Sequence, residues 1–293
     1  MTDAPVRVAL VQLASGADPQ ANLAHARREV TAAADAGARV VVLPEYAAAF
    51  DPRGVGADLA EAPDGPFVTA LRELSASRGL TVVAGAAFPG RKAGRAVNAV
   101  VVVADGEHRA TYTKVHLYDA FGHRESDRLE PGDPAAPPVV VDVGGLRLGI
   151  QTCYDLRFPE VSRRLVDAGA TVLVVPAAWA AGPGKLEQWR VLARARAIES
   201  TAAVLAVGQA GRGVVGHSMA IDANGVVLGE LGTGAGTLVI DLDPAAIRGV
   251  RDRNPSLVNR RYGVVPLPAP STDASDGATD DGPADKLSDA SGA

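Results

Sequence analysis

The sequence predicts an α/β fold whose sheets are covered by helices, and three observations carry that prediction. Short valine-rich runs alternate with longer amphipathic segments along most of the chain. With 293 residues, 47% of them hydrophobic and 22% charged, the chain can bury the large core that layered sheets require. Finally, "DAGARVVVLPEYA" from Asp35 echoes "DAGATVLVVPAAWA" from Asp167, without a gap from the DAGA turn to Pro44 and Pro176. The echo fits a duplicated half, and so two similar sheets that face one another; convergence on a common helix-turn-strand solution is the alternative.

The elements follow in order. "VRVALVQLA" opens the chain as a strand, because β-branched residues dominate it and polar residues close it. Residues 21–36 repeat their apolar positions at helical spacing and predict a helix. "RVVVLPEY" is the next strand, and residues 67–78 the next helix. "LTVVAGAAF" and "NAVVVVADG" are strands that end at turn residues, and "RATYT" is an extended run before Lys114. "LRLGIQTCY" is a strand followed by a helix over 160–168, then by the strand "TVLVVPAAW". A helix over 186–200 carries arginines at 190, 194 and 196 beside Trp189 and Leu192. "TAAVLAVGQ" and "GTLVIDL" are strands, and "GHSMAIDANG" reads as a strand entering a hairpin turn at Asn224-Gly225.

Charge divides the chain. The net charge is -5, and residues 271–293 hold six aspartates and one lysine, which leaves the remainder neutral. A balanced folded part, expected over residues 1–265, gives no basic surface for nucleic acid or an anionic membrane. The acidic stretch from 271 is rich in proline, serine and alanine without period, and is expected to be disordered. The single cysteine forms no internal disulfide, and the N-terminus lacks the basic lead and apolar core of a signal peptide. Both point to a cytoplasmic protein.

Ligands in α/β sheets gather beyond the carboxyl ends of strands, and three reactive side chains fall at such ends. Glu45 follows "VVVLP", Lys114 follows "RATYT", and Cys153 follows "LRLGIQT". Taken alone, Cys153 reads as a small buried hydrophobe and Lys114 as a solvated charge. Glu45 is harder to dismiss, since a carboxylate after an apolar strand is rarely buried without a partner. Of the five histidines, His25 lies on a predicted exposed helix and His108 in a predicted turn. A Cys-His pair would draw on His116, His123 or His217. A metal site from His116, Asp119 and His123 matches no common zinc spacing, and no cofactor is expected.

Together, "LPEY", "YTKVHLYD" with "ESDRLEPGD", and "CYDLRFPE" resemble the three signature regions of the nitrilase superfamily of carbon-nitrogen hydrolases, in the order Glu, Lys, Cys. The likeness runs from about Val6 to Tyr262 and is strongest to the Nit branch, which contains ω-amidase and deaminated-glutathione amidase. It implies a four-layer α-β-β-α sandwich, with two facing mixed sheets covered by helices. It also implies homodimers or higher assemblies.

The resemblance assigns Cys153 as nucleophile, Glu45 as general base, Lys114 as oxyanion stabiliser and Glu125 as the second glutamate. The backbone N–H of Tyr154 is the expected second oxyanion donor. The residue types suit amide hydrolysis, because a thioester divides one difficult displacement into two easier ones. A carboxylate shielded from water is able to take the thiol proton and hand it to departing ammonia. Tyr46, Phe121 and Trp179 are expected to line the pocket, and Arg124 or Arg157 to meet a substrate carboxylate. Asp155 and Arg157 are expected to form a structural ion pair. The implied substrate is a small linear amide, with N-carbamoyl compounds or nitriles as alternatives within the fold. A tyrosine after the cysteine differs from the tryptophan associated with nitrilases. An idle homologue acting as a scaffold is the reading from another class.

Overall fold

The valine-rich runs become strands buried on both faces, and residue parity sorts their side chains between two apolar layers. The computed structural model describes residues 4–267, so the acidic stretch expected to be disordered lies outside the described residues. In chain order the strands are β1 (Val6–Gln12), β2 (Val40–Val42), β3 (Thr81–Pro89), β4 (Ala96–Ala104), β5 (Glu107–Thr113), β6 (Asp119–Ala120) and β7 (His123–Arg124). There follow β8 (Val140–Val143), β9 (Leu146–Ile150), β10 (Val172–Ala177), β11 (Ala203–Gly208), β12 (Met219–Ile221), β13 (Val227–Glu230) and β14 (Gly236–Leu242). The helices are α1 (Pro19–Asp35), α2 (Pro66–Arg78), α3 (Pro159–Asp167), α4 (Lys185–Ser200), α5 (Pro244–Arg253) and α6 (Ser256–Asn259).

Two six-stranded mixed sheets form, in the orders β14-β1-β2-β3-β4-β5 and β8-β9-β10-β11-β12-β13. On β1, Val6, Val8 and Leu10 enter the layer between the sheets, while Ala9 and Val11 face α1 and α2. On β10, Val172 and Val174 enter the same central layer, while Leu173 and Val175 face α3 and α4. Three apolar layers between four structural ones are the α-β-β-α sandwich. The hairpin β6-β7 stands apart from both sheets. Among the described residues, no helix is long and apolar enough to cross a membrane.

The echo marks equivalent positions in two half-sheets built on one plan. Ala36 and Ala168 cap their helices at φ/ψ of -78/2° and -77/2°. Gly37 and Gly169 follow at φ 85° and 95°, the left-handed region where a Cβ is strained. β1 pairs in parallel with β2 through Val8 and Val40, and β9 pairs with β10 through Leu148 and Val172. Counting forward, Leu13 corresponds to Cys153 and Ala177 to Glu45.

The first three helices begin one or two residues before the apolar periodicity predicts. A proline stands in the first turn of each, where its missing N–H costs nothing, and Asp18 caps α1 by accepting from Gln20 N and Ala21 N. Two features differ from expectation. His108 lies on β5 rather than in a turn, and α5, capped by Asp243, was not anticipated because Ile247 and Val250 are its only large apolar side chains.

Candidate active site

Glu45 leaves β2 through Pro44 and is buried at 1% exposure. Its backbone is pressed against β3, where a Cβ on Gly85 would stand 2.5 Å from Glu45 Cα, so only glycine fits. Its carboxylate is fixed from both sheets. Asn98 Nδ2 donates to Oε1 at 2.6 Å and Lys114 Nζ at 3.0 Å, while Ala178 N, just beyond β10, donates to Oε2 at 2.6 Å.

Lys114 directly follows β5 and is fully buried. Its Nζ lies 2.8 Å from Glu125 Oε2 as well as 3.0 Å from Glu45 Oε1. Burial alone would pull the ammonium down, but Glu125 and Glu45 outweigh it and hold its pKa well above the ordinary lysine value. Glu125 is itself oriented, accepting from Tyr118 N at 2.7 Å and Tyr46 Oη at 3.2 Å.

Cys153 begins a 3-10 turn over Cys153–Arg157 with φ 46°, a strained conformation for a residue with a Cβ. The turn is held by a capping box between Thr152 and Asp155, and by Thr152 Oγ1, which donates to Pro176 O at 2.8 Å. Burial, then the negative charge of Glu45, raise the thiol pKa well above its usual value against the opposing pull of Lys114. The resting thiol is therefore protonated at neutral pH. Tyr154 lies in the first turn, where N–H groups have no intrahelical acceptor.

The expected Asp155–Arg157 ion pair does not form. Asp155, at 0% exposure, accepts from Tyr112 Oη at 2.7 Å, His116 N at 3.2 Å and Thr152 N at 3.2 Å, and its Oδ1 lies 2.9 Å from His116 Nδ1. It ties the cysteine turn to the segment that follows Lys114. Arg157 points the other way, donating to Gln188 Oε1 at 2.6 Å and lying 4.9 Å from the Trp179 ring centre. His116 stacks on Phe158 at 3.7 Å, His123 stacks on Tyr118 at 5.4 Å, and Asp119 accepts from Ser126 N.

Glu45, Glu125 and Cys153 open into one pocket of about 310 Å³, with Tyr46, Tyr118, Tyr154 and Trp179 also on its walls. Arg53, Arg124, Arg128, Arg157 and Lys185 bring positive charge to the lining. Phe121 is not on that lining. It sits on the β6-β7 turn at 65% exposure and φ 55°, with Lys185 Nζ 3.1 Å from its ring centre. Sequence reasoning missed Tyr118 and Asn98, and marked Lys185 only as the end of a loop, 180–185, expected with 120–131 to decide substrate choice. Asn98 carried a signal, as a polar residue inside the otherwise apolar strand "AVNAVVVVA". So did Lys185, a cation at the first position of a helix, where the dipole favours an anion.

The sequence profile described as "Carbon-nitrogen hydrolase" matches residues 7–252. A hydrolase of Mycobacterium tuberculosis is 40% identical over 273 residues, covering 87% of this chain and 95% of that one. The deaminated glutathione amidase of Escherichia coli O157:H7 is 36% identical over 232 residues, covering 78% and 87%. Among solved structures, the amidase of Nesterenkonia sp. AN1, from the nitrilase superfamily, is similar with a TM-score of 0.73 at 29% identity, covering 88% and 98%. A structure of its glutamate-to-leucine mutant has the acetamide moiety of fluoroacetamide covalently added at the active-site cysteine.

Proposed function

The chain belongs to the carbon-nitrogen hydrolase family, and from that premise we propose that it hydrolyses a small linear, carboxylated amide to a carboxylic acid and ammonia through a thioester on Cys153. The observation that carries this reading is the arrangement at the pocket floor. A buried lysine is clamped between two carboxylates, both of which share the pocket with the only thiol in the chain.

The steps follow from the charges. As the Cys153 sulfur attacks the amide carbon, its proton passes to Glu45, so no free thiolate accumulates beforehand. Negative charge develops on the carbonyl oxygen, opposed by the Lys114 ammonium and the Tyr154 N–H. Glu45 returns the proton to the nitrogen, the C–N bond breaks and ammonia leaves a thioester. A water molecule, its proton taken by Glu45, then attacks the thioester, and the carbon–sulfur bond breaks to release the acid and restore the thiol. Glu125 keeps Lys114 in place throughout. The covalent adduct on the active-site cysteine of a glutamate-to-leucine mutant of the Nesterenkonia amidase supports Cys153 as the nucleophile.

The carboxylate preference is supported by the excess of cations on the lining. Arg53 and Arg124 pair with Asp51 and Asp127, but the one hydrogen-bond acceptor Arg157 finds among the described residues is a neutral side-chain amide, and its buried Nε has no partner. A substrate carboxylate supplies the missing acceptor.

A homodimer is the assembly we propose. Val191 and Ile198 on α4 and Val226, Val227 and Leu228 beside or on β13 are exposed apolar side chains, and Arg194 Nε on α4 donates to Gly225 O in the turn before β13, which brings the two elements together. The absence of a disulfide partner for Cys153 supports a reducing, cytoplasmic setting.

The test is an ammonia-release screen across ω-amides of keto acids, deaminated glutathione, carbamoyl amino acids and simple nitriles. It is combined with mass spectrometry for an acyl adduct on Cys153. Turnover of a carboxylated amide with a trapped adduct is the expected result. Normal turnover by a folded Cys153→Ala protein would end the reading.

A further inference from the structure

Lys185 is a buried cation without a counter-ion. It is 8% exposed, lines the same pocket as Cys153, and makes no ion pair among the described residues. Lys114, more deeply enclosed at 0% exposure, has two carboxylates. The contacts of Lys185 Nζ are a hydrogen bond to Tyr118 Oη at 3.1 Å and the rings of Tyr118 and Phe121, centred 5.5 Å and 3.1 Å away. A shielded ammonium satisfied only by a hydroxyl and two aromatic faces leaves donor capacity unused.

The fold holds it there by its stem. Gly182 and Gly184, at φ 151° and 69°, turn the chain so that Lys185 becomes the first residue of α4. Its carbonyl then accepts Trp179 Nε1 at 3.0 Å. A cation at this end of a helix opposes the dipole and adds to a positive field that only an anion relieves. Arg157, whose Nε is buried without a partner, lines the same pocket and faces the same Phe121 ring at 5.7 Å. The Tyr118 ring also packs at 5.0 Å on Tyr154, the residue after the nucleophile.

We propose that Lys185 determines substrate specificity, receiving with the Tyr118 hydroxyl a carboxylate carried on the acyl side of the substrate. The inference rests on the amidase reading above. When the leaving group is ammonia, every other substrate atom belongs to the acyl part, so an anion bound in this pocket belongs to it. Lys185 acts by binding, and proton transfer at the scissile bond stays with Glu45 and Cys153.

The experiment compares wild type with Lys185→Met, Lys185→Gln and Lys185→Arg. Substrates are the monoamides of succinic and glutaric acids and the uncharged butanamide and pentanamide; binding of succinate and glutarate is measured by calorimetry. In the folded Met or Gln variant, the kcat/KM ratio of carboxylated to uncharged amide should fall about tenfold or more through KM, as expected for losing a shielded charge partner. Affinity for the dicarboxylates should fall likewise, and Lys185→Arg should retain most of both. An unchanged ratio with unchanged dicarboxylate binding overturns the proposal, as does wild type that binds neither dicarboxylate and prefers neither monoamide. If wild type hydrolyses no amide, the amidase reading fails. The binding arm then still decides whether Lys185 holds a carboxylate.

Discussion

Replacing Asp155 by asparagine isolates what a buried carboxylate does for the cysteine turn. Four donor atoms converge on it: His116 N and Nδ1 at Oδ1, and Tyr112 Oη and Thr152 N at Oδ2. The Tyr112 hydroxyl can rotate and the His116 ring can change tautomer, but the two backbone N–H groups can only donate. Whichever way the new amide is turned, its NH2 faces one of them. One buried N–H is thus left unsatisfied at about 1–3 kcal/mol, and the remaining bonds lose their charge assistance, for a total of about 2–4 kcal/mol. In a domain of this size that lowers Tm by about 4–16 °C. Alanine, which removes both oxygens, should cost more than asparagine. The Thr152 N–H bond also holds the turn in which Cys153 sits at φ 46°, so kcat should fall in both variants. Thermal unfolding followed by circular dichroism, with ammonia release, measures both effects. An asparagine variant with wild-type Tm and wild-type kcat would refute the reasoning.

Three further outcomes are expected. Lys114→Met leaves Glu45 and Glu125 facing each other without their shared cation; it should abolish turnover and cost about 3–5 kcal/mol in denaturant unfolding. Because burial and the charge of Glu45 hold the Cys153 thiol well above its usual pKa, its S–H infrared stretch should persist near pH 9.5, where a free thiol is mostly ionised. A thiolate there at rest would contradict proton transfer during attack. Burial and the neighbouring Arg157 lower the Lys185 pKa, so its charge is lost, as pH rises, before that of a free lysine. KM for a carboxylated amide should therefore climb on the alkaline side before KM for butanamide does. Parallel KM profiles for the two amides would contradict this.

Periodicity and punctuation determined most of the fold. Runs such as "VRVALVQLA" and "TVLVVPAAW" are apolar at most positions of either parity because both faces of their strands are largely covered, and Gly37 and Gly169 mark equivalent turns. These are local consequences of side-chain type, so they can be read along the chain. The same logic put Glu45, Lys114 and Cys153 at strand ends and matched Leu13 with Cys153 through the echo. Weakly apolar elements left no such trace, which is why α5 went unread.

Partnership is a different kind of information. Asp155 stands two residues from Arg157, yet the chain direction after the cysteine turn sends one inward to Tyr112 and His116 and the other outward to Gln188 and Trp179. Which carboxylates share Lys114, and that Ala178 N caps Glu45, depends on two sheets packing at one particular offset. The sequence determined which residues are unusual where they stand. Only the tertiary structure decided which of them meet, because hydrogen bonds and buried charges act over a few ångströms in space, whatever their separation along the chain.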